Sequence, residues 1–146
     1  MDNSLSLSNS FTLIVEQEIF ALEKIPSLVS KNWQVFSIGK ELSEFLIREA
    51  ESDRTKTAIK WLENTITAKA PGPVVCTDID LLFHPSLSLD PLVLFRQISR
   101  FTKLIVLWPG EFKDGVLSYA QPEHHHYRFW RNLEGIEIKG VHDALQ

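Results

Sequence analysis

Residues 73–130 decide the fold, and their sequence is PVVCTDIDLLFHPSLSLDPLVLFRQISRFTKLIVLWPGEFKDGVLSYAQPEHHHYRFW. Two apolar runs, at 74–79 and 103–107, have the length and the β-branched content of buried strands. After an extended segment at 84–89, Asp90 and Pro91 form an N-cap followed by proline at the first helical position, which predicts a helix that ends near Arg100. The segment therefore predicts a strand–helix–strand unit.

The residues on either side extend this pattern. Short apolar or alternating runs predict further strands at 11–15, at 33–38, at 116–119 (an edge strand) and at 135–139. Apolar residues at helical spacing predict further helices at 17–31, 40–50 and 55–68. Strands that alternate with helices imply right-handed crossovers, so we predict a three-layer α/β fold with a mostly parallel sheet of about five strands.

Length and composition predict one domain. Residues 1–10 are polar and rich in serine and asparagine, which predicts a disordered lead-in, and 11–146 form a single α/β domain. The net charge of -4, without a basic tract, argues against a protein that binds DNA by itself. The only cysteine, Cys76, cannot form an intrachain disulfide, and no apolar run approaches the ~18 residues of a membrane span. We therefore expect a cytoplasmic protein that makes no membrane contact.

Ligands of parallel sheets bind at the carboxyl ends of the strands, which directs attention to Thr77, Asp78, Asp80 and Trp108. Residues two apart in a strand share a face, so the carboxylates of Asp78 and Asp80 could converge on Mg²⁺. The alternative is that both side chains cap the turn that follows the strand.

A histidine cluster is the second candidate metal site. His124 and His126 would share one face of an extended segment, and Glu123 lies beside them, a set that could bind zinc or another transition metal. Consecutive histidines lack the spacing of helix-borne zinc sites, however. The alternative is a solvated loop, or packing beside Tyr127 and Trp130.

The order of strand, helix and acidic strand end is similar to a P-loop nucleotide-binding core. In that fold a glycine-rich loop after the first strand holds the phosphates. Here Glu16 and Glu18 follow the first strand, and no glycine occurs before Gly39. We therefore expect a degenerate nucleotide site and no cofactor, with ATP and Mg²⁺ as an alternative that would need other residues.

Two further features suit contact with a partner. Arg100 could reach a phosphate on a neighbouring subunit, or it could complement the dipole at the end of its own helix. Aromatic residues are concentrated near Trp108, Tyr119 and Tyr127. Most should lie in the core, and the exposed ones could anchor a partner.

Taken together, residues 33–130 resemble BrxF, a family of small P-loop proteins from type 3 BREX (bacteriophage exclusion) systems. The most specific part is the Tyr-Ala-x-Pro block. The residues that carry the resemblance are Leu82, Phe83, Pro85, Asp90, Pro91, Leu92, Ser99, Arg100, Trp108, Gly110, Leu117, Tyr119, Ala120, Pro122, His124 and Tyr127. The glycine-rich loop of that family is absent here.

The resemblance implies an accessory subunit of an anti-phage defence complex that has no catalysis of its own. Its implied partners are an ATPase, a DNA methyltransferase and a phosphatase-like protein, with DNA contacted only through them, and it could also assemble with itself. The candidate interface comprises Asp78, Asp80, Arg100, Trp108, Tyr119, His124 and Tyr127. Two alternatives are a small metal-dependent hydrolase or nuclease using Asp78, Asp80, Glu123 and His124, and a regulator that binds nucleotide without hydrolysing it.

Overall fold

The computed structural model describes residues 11–15, 34–48, 54–120 and 127–140. In chain order, the strands are β1 (Phe11–Val15), β2 (Gln34–Ser37), β3 (Val74–Thr77), β4 (Leu104–Trp108), β5 (Glu111–Lys113), β6 (Val116–Tyr119), β7 (Arg128–Trp130) and β8 (Ile136–Gly140). The α-helices are α1 (Ile38–Ile47), α2 (Arg54–Thr67) and α3 (Pro91–Ile98). None of these helices is long and apolar enough to cross a membrane.

The main sheet has five strands in the order β2-β3-β4-β1-β8, and all of its neighbouring strands are parallel. This confirms the prediction of an α/β protein with a mostly parallel sheet of about five strands. The chain moves from β1 to the far edge at β2 and then returns through β3 and β4. The direction of winding therefore reverses between β1 and β4, where Val15 is paired with Trp108.

Alternate residues of the strands face two hydrophobic clusters. Phe36, Val74, Cys76 and Val106 belong to the main core, which also includes the buried side of α1, α2 and α3. Ile14, Val75 and Ile105 form a smaller cluster from the intervening strand positions. Because side chains on both faces of the sheet are buried, the arrangement is consistent with a three-layer α/β fold.

The predicted elements agree with the structure, apart from shifts at their ends. Ser37 ends β2 and caps α1, since its side chain accepts a hydrogen bond from the backbone N–H of Lys40. Asp90 caps α3 as predicted, because its Oδ1 accepts from the N–H of Leu92 at 2.9 Å. The predicted lead-in at 1–10 and the predicted helix at 17–31 lie outside the described residues.

A second, antiparallel sheet was not predicted. Its strand order is β5-β6-β7, so β6 is the central strand and the expectation of an edge strand was wrong. Asp114 and Gly115 both have positive φ, 54° and 78°, and join β5 to β6 in a two-residue hairpin loop. The expected extended segment at 84–89 was also wrong, because 3₁₀ turns occupy Asp80–Phe83 and Pro85–Leu87.

Candidate functional site

Asp78 directly follows β3 and lies at the N-terminus of α1. Its Oδ2 accepts a hydrogen bond from the Ser37 hydroxyl at 3.2 Å, and its backbone carbonyl accepts from the N–H of Gly39 at 2.8 Å. The φ of 55° places Asp78 in the left-handed region, which Asp tolerates better than most residues. The carboxylate is exposed, and its negative charge interacts favourably with the positive end of the α1 helix dipole.

Gly39 makes this close approach possible. A Cβ on Gly39 would lie 2.4 Å from Oδ2 of Asp78 and 2.7 Å from its backbone carbonyl oxygen. The second contact is with backbone, so a change of side-chain rotamer could not relieve it. Gly39 therefore lets the end of β3 pack against the first turn of α1.

Asp80 does not join Asp78. The strand ends at Thr77, and Asp80 opens the first 3₁₀ turn, so the expected alternation along a strand does not apply. Asp80 accepts a hydrogen bond from the Tyr119 hydroxyl at 3.1 Å. Each of the two carboxylates thus has its own neutral partner, Ser37 for Asp78 and Tyr119 for Asp80.

Tyr119 connects the small sheet to this turn. Its ring stacks on Phe83 with a centroid distance of 3.8 Å and an interplanar angle of 3°. Burial, and then the charge and hydrogen bond of Asp80, raise the pKa of Tyr119 to about 12. The phenol is therefore neutral near pH 7 and donates its proton to Asp80, which suits a structural tether rather than an acid or base.

Trp108 is the centre of an aromatic cluster. The side chain is buried at the end of β4 and contacts Phe83 and Trp130 edge to face, with centroid distances of 5.1 and 5.3 Å. Its indole N–H donates to the carbonyl of Ser118 at 2.9 Å. Trp108 therefore fixes the small sheet to the carboxyl edge of the main sheet, and it is not available as a surface anchor.

The start of α3 joins the same cluster. Asp90 uses Oδ1 for the helix cap, while Oδ2 accepts a hydrogen bond from the indole N–H of Trp130 at 3.3 Å. Arg128 donates to the carbonyl of Leu89 at 2.9 Å, and its guanidinium lies 5.1 Å from the ring centroid of Trp130. These contacts hold β7 against the helix start.

The exposed members of the aromatic segment lie on the outer face of β7. Phe129 is 48% exposed and pairs with Ser118, so it points away from the face that carries buried Leu117. The ring of Tyr127 lies 6.0 Å from that of Phe129, and the guanidinium of Arg131 lies 4.9 Å from the Phe129 centroid. We call Tyr127, Phe129 and Arg131 the β7 surface.

Arg100 lies elsewhere. Since β3 and β4 are parallel neighbours, α3 runs from the carboxyl edge of the sheet back to its amino edge, and Arg100 follows the end of that helix. The structure therefore separates Arg100 from Asp78, Asp80, Trp108, Tyr119 and Tyr127. It is exposed beside Phe101 in a groove of about 560 Å³.

The remaining predicted metal ligands, Glu123, His124 and His126, lie outside the described residues. Within the part of the chain that the structure describes, no group of three or more His, Cys, Asp or Glu side chains is placed to hold a metal ion. Cys76 is fully buried in β3, and burial raises the pKa of its thiol to about 12, as expected for an inert core cysteine.

Sequence reasoning missed some structural roles. Phe83, the ring between Trp108 and Tyr119, was used only in the resemblance, and Arg128 was not singled out at all. Phe83 lies three residues after Asp80, and the 3₁₀ turn between them places its ring in the aromatic cluster. No local pattern marks Arg128, because its acceptor, Leu89, is 39 residues away.

Comparisons with known proteins do not place the chain in a family: no family model, curated protein or solved structure matches it.

Proposed function

We propose that the chain is a cytoplasmic accessory subunit of a BREX-like anti-phage defence complex and acts through protein–protein contacts. The observation that carries the proposal is the β7 surface. Tyr, Phe and Arg are enriched in protein–protein interfaces. The aromatic rings bury a large area and have few rotatable bonds, and the Arg guanidinium adds a positive charge with several hydrogen-bond donors. Here these residue types adjoin at β7, where Phe129 and Arg131 are exposed and Tyr127 is half-buried.

The contacts behind the β7 surface support this role. Phe83, Asp90, Trp108 and Tyr119 carry the resemblance to the BrxF family, and all four lie in the cluster that positions β6 and β7. A binding surface on a rigid support loses less conformational entropy on association than a surface on a mobile loop. We therefore infer that these four residues keep the β7 surface rigid for partner binding.

The finer description of the fold as P-loop-like is part of the same proposal. It is supported by the reversal of winding between β1 and β4, since ligands of open α/β sheets bind at such a point. The residues after β1 begin with Glu16, and a carboxylate there would repel phosphates. We therefore infer a relative that uses the fold for assembly and not for nucleotide hydrolysis.

The test is binding of the purified chain to each implied partner: the ATPase, the methyltransferase and the phosphatase-like protein. Phe129→Ser should weaken the cognate complex about tenfold or more, as for a central aromatic of an interface. The matched control is Phe112→Ser, which changes another exposed phenylalanine of the small sheet that lies on the opposite face, paired with Leu117.

Three results would overturn the proposal. The first is an unchanged affinity of Phe129→Ser for every partner that binds the natural chain, and the second is the failure of all three partners to bind. The third is ATP turnover by the purified chain that Asp78→Ala abolishes. The metal-dependent alternative would also need Glu123 and His124, which lie outside the described residues, beside Asp78 and Asp80, which accept hydrogen bonds from Ser37 and Tyr119.

A further inference from the structure

A groove lies at the amino edge of the main sheet, between the C-terminal ends of α2 and α3. Its volume is about 560 Å³, within the range of pockets that bind small molecules and peptide segments. From α2 it is lined by Glu63, Asn64 and Thr67, and from α3 and the following turn by residues that include Gln97, Arg100 and Phe101. The groove is remote from the aromatic cluster at the carboxyl edge.

Phe101 is the apolar feature of the groove. It is 66% exposed, the most exposed aromatic side chain among the described residues, and Ile98 is buried beside it. Phe101 lies in the turn that joins α3 to β4, a position where small or polar residues are more usual. Its exposure leaves an apolar contact of substantial area available to a ligand.

The polar lining has unused hydrogen-bonding capacity. Among the described residues, the side chains of Asn64, Gln97 and Arg100 take part in no hydrogen bond or ion pair. Each amide offers a carbonyl acceptor and an NH₂ donor, which is the pairing that an extended peptide backbone presents. Asn64 comes from α2 and Gln97 from α3, so the two amides stand on opposite walls.

The charge of this surface differs from that of the whole chain. The net charge of the chain is -4, but the described charged residues near the groove are mostly basic: Arg100 and Glu63 line it, Lys60 is exposed three residues before Glu63 on α2, and Lys103 is exposed two residues after Phe101. Lys60 shares a helix face with Glu63 and Asn64 because residues three and four apart on a helix are neighbours. The local excess of positive charge complements an acidic ligand.

Acidic ligands include nucleic acid as well as peptide, and the groove favours peptide. The C-terminal ends of α2 and α3 both face it, and their partial negative charges oppose a run of phosphates. Glu63 adds a full negative charge within the lining. A peptide, in contrast, needs only one or two carboxylates next to Arg100 and is otherwise neutral.

We propose that this groove binds an extended acidic peptide segment of a partner protein. An apolar side chain of the segment packs on Phe101, a carboxylate pairs with Arg100, and the backbone pairs with the amides of Asn64 and Gln97. The site is separate from the β7 surface and does not depend on the proposed defence function.

The experiment is selection of a random linear peptide library against the full chain, followed by anisotropy measurements on the enriched peptides. We expect sequences that combine Asp or Glu with a large apolar residue. Arg100→Glu and Phe101→Ser should each weaken their binding about tenfold or more. Phe112→Ser is the matched control, an exposed phenylalanine of the small sheet that lies in neither proposed binding surface and should leave the affinity unchanged.

A second readout reports on the amides. The side-chain NH₂ resonances of Asn64 and Gln97 should shift when an enriched peptide is added, and the shifts should vanish in Arg100→Glu. Three results would overturn the proposal: no enrichment, enriched peptides that bind Arg100→Glu and Phe101→Ser as tightly as the natural chain, or a single-stranded oligonucleotide that binds the groove more tightly than any enriched peptide.

Discussion

At the scale of single residues, polar side chains near the carboxyl edge of the sheet act mainly as tethers between distant segments. Asp80 and Tyr119 are 39 residues apart and meet in one hydrogen bond. Asp78 and Ser37 are 41 residues apart and do the same. An acid after a parallel strand is a common feature of binding sites, but here Asp78 and Asp80 each have a neutral hydrogen-bonding partner.

The Tyr119 phenol provides the first prediction. Because burial and Asp80 raise its pKa from 10.0 to about 12, folding favours the neutral form. This contribution to stability is fully present below pH 10 and is lost as the pH rises from 10 to 12. Ultraviolet titration of tyrosinate, followed in parallel with circular dichroism, should therefore show one of the two tyrosines ionising near pH 12.

Two variants assign that titration. Tyr119→Phe should remove the late ionisation, and Asp80→Asn should lower the pKa of Tyr119 without returning it to 10, since burial remains. Ionisation of Tyr119 at its ordinary value of 10.0 in the folded protein would contradict its burial and its hydrogen bond to Asp80.

Gly110 provides the second prediction. A Cβ there would lie 1.8 Å from the backbone carbonyl oxygen of Ser118, which also accepts the Trp108 indole N–H. Gly110→Ala should therefore lower the free energy of unfolding by about 1–3 kcal/mol, which is the usual cost of forcing an extra methyl group into a close contact. Urea denaturation measures this loss, with Lys113→Ala at an exposed position of β5 as the control. Equal midpoints for the two variants would refute the contact.

At the scale of elements, α3 shows how one side chain can fix both a helix and its neighbour. Asp90→Ala removes the cap of an eight-residue helix and leaves the Trp130 indole without its acceptor. We expect a loss of about 1–3 kcal/mol in the free energy of unfolding. Asp90→Asn should lose less than Asp90→Ala, because its single amide oxygen can still cap the helix, but it should not match Asp90, because its NH₂ group cannot accept from the Trp130 indole N–H.

Chemical denaturation of both variants tests this, with Gln97→Ala on the same helix as the control. Gln97 is exposed and its side chain contacts no described hydrogen-bonding partner, so its replacement should cost only a few tenths of a kcal/mol. An Asp90→Ala variant as stable as Gln97→Ala would mean that neither the cap nor the indole contact matters.

The same elements show how far the sequence predicts structure. The strands of the main sheet and α1 to α3 were predicted because each is a local pattern of apolar spacing or capping. The small sheet was missed because β5 is entirely exposed and β5 and β7 have three residues each, too few for periodicity to register. Of the candidate site, the position after each strand was predictable, but the partners were not, since every decisive contact joins segments that are far apart in sequence.

At the scale of the whole molecule, the strand order could not be predicted from local patterns. Handedness rules make each crossover right-handed but do not state how many strands it passes over. Here β1 lies between β4 and β8, which both come much later in the chain. Neither neighbour of β1 in the sheet is therefore adjacent to it in the sequence. The reversal of winding that this creates is a property of the assembled sheet.

The final prediction concerns the two exposed phenylalanines at opposite edges of the molecule. Phe101 and Phe129 are 66% and 48% exposed, so their replacement by serine should lower the free energy of unfolding by less than about 1 kcal/mol each, because little apolar area returns to water. Among the described residues they share no contact partner, so the loss in the double variant should equal the sum of the two single losses within about 0.5 kcal/mol. Urea denaturation of the four proteins gives this cycle. Small, additive losses, with peptide binding lost only in Phe101→Ser and partner binding lost only in Phe129→Ser, would show that the two rings serve independent sites. A large or strongly coupled loss of stability would instead show that both rings belong to one core.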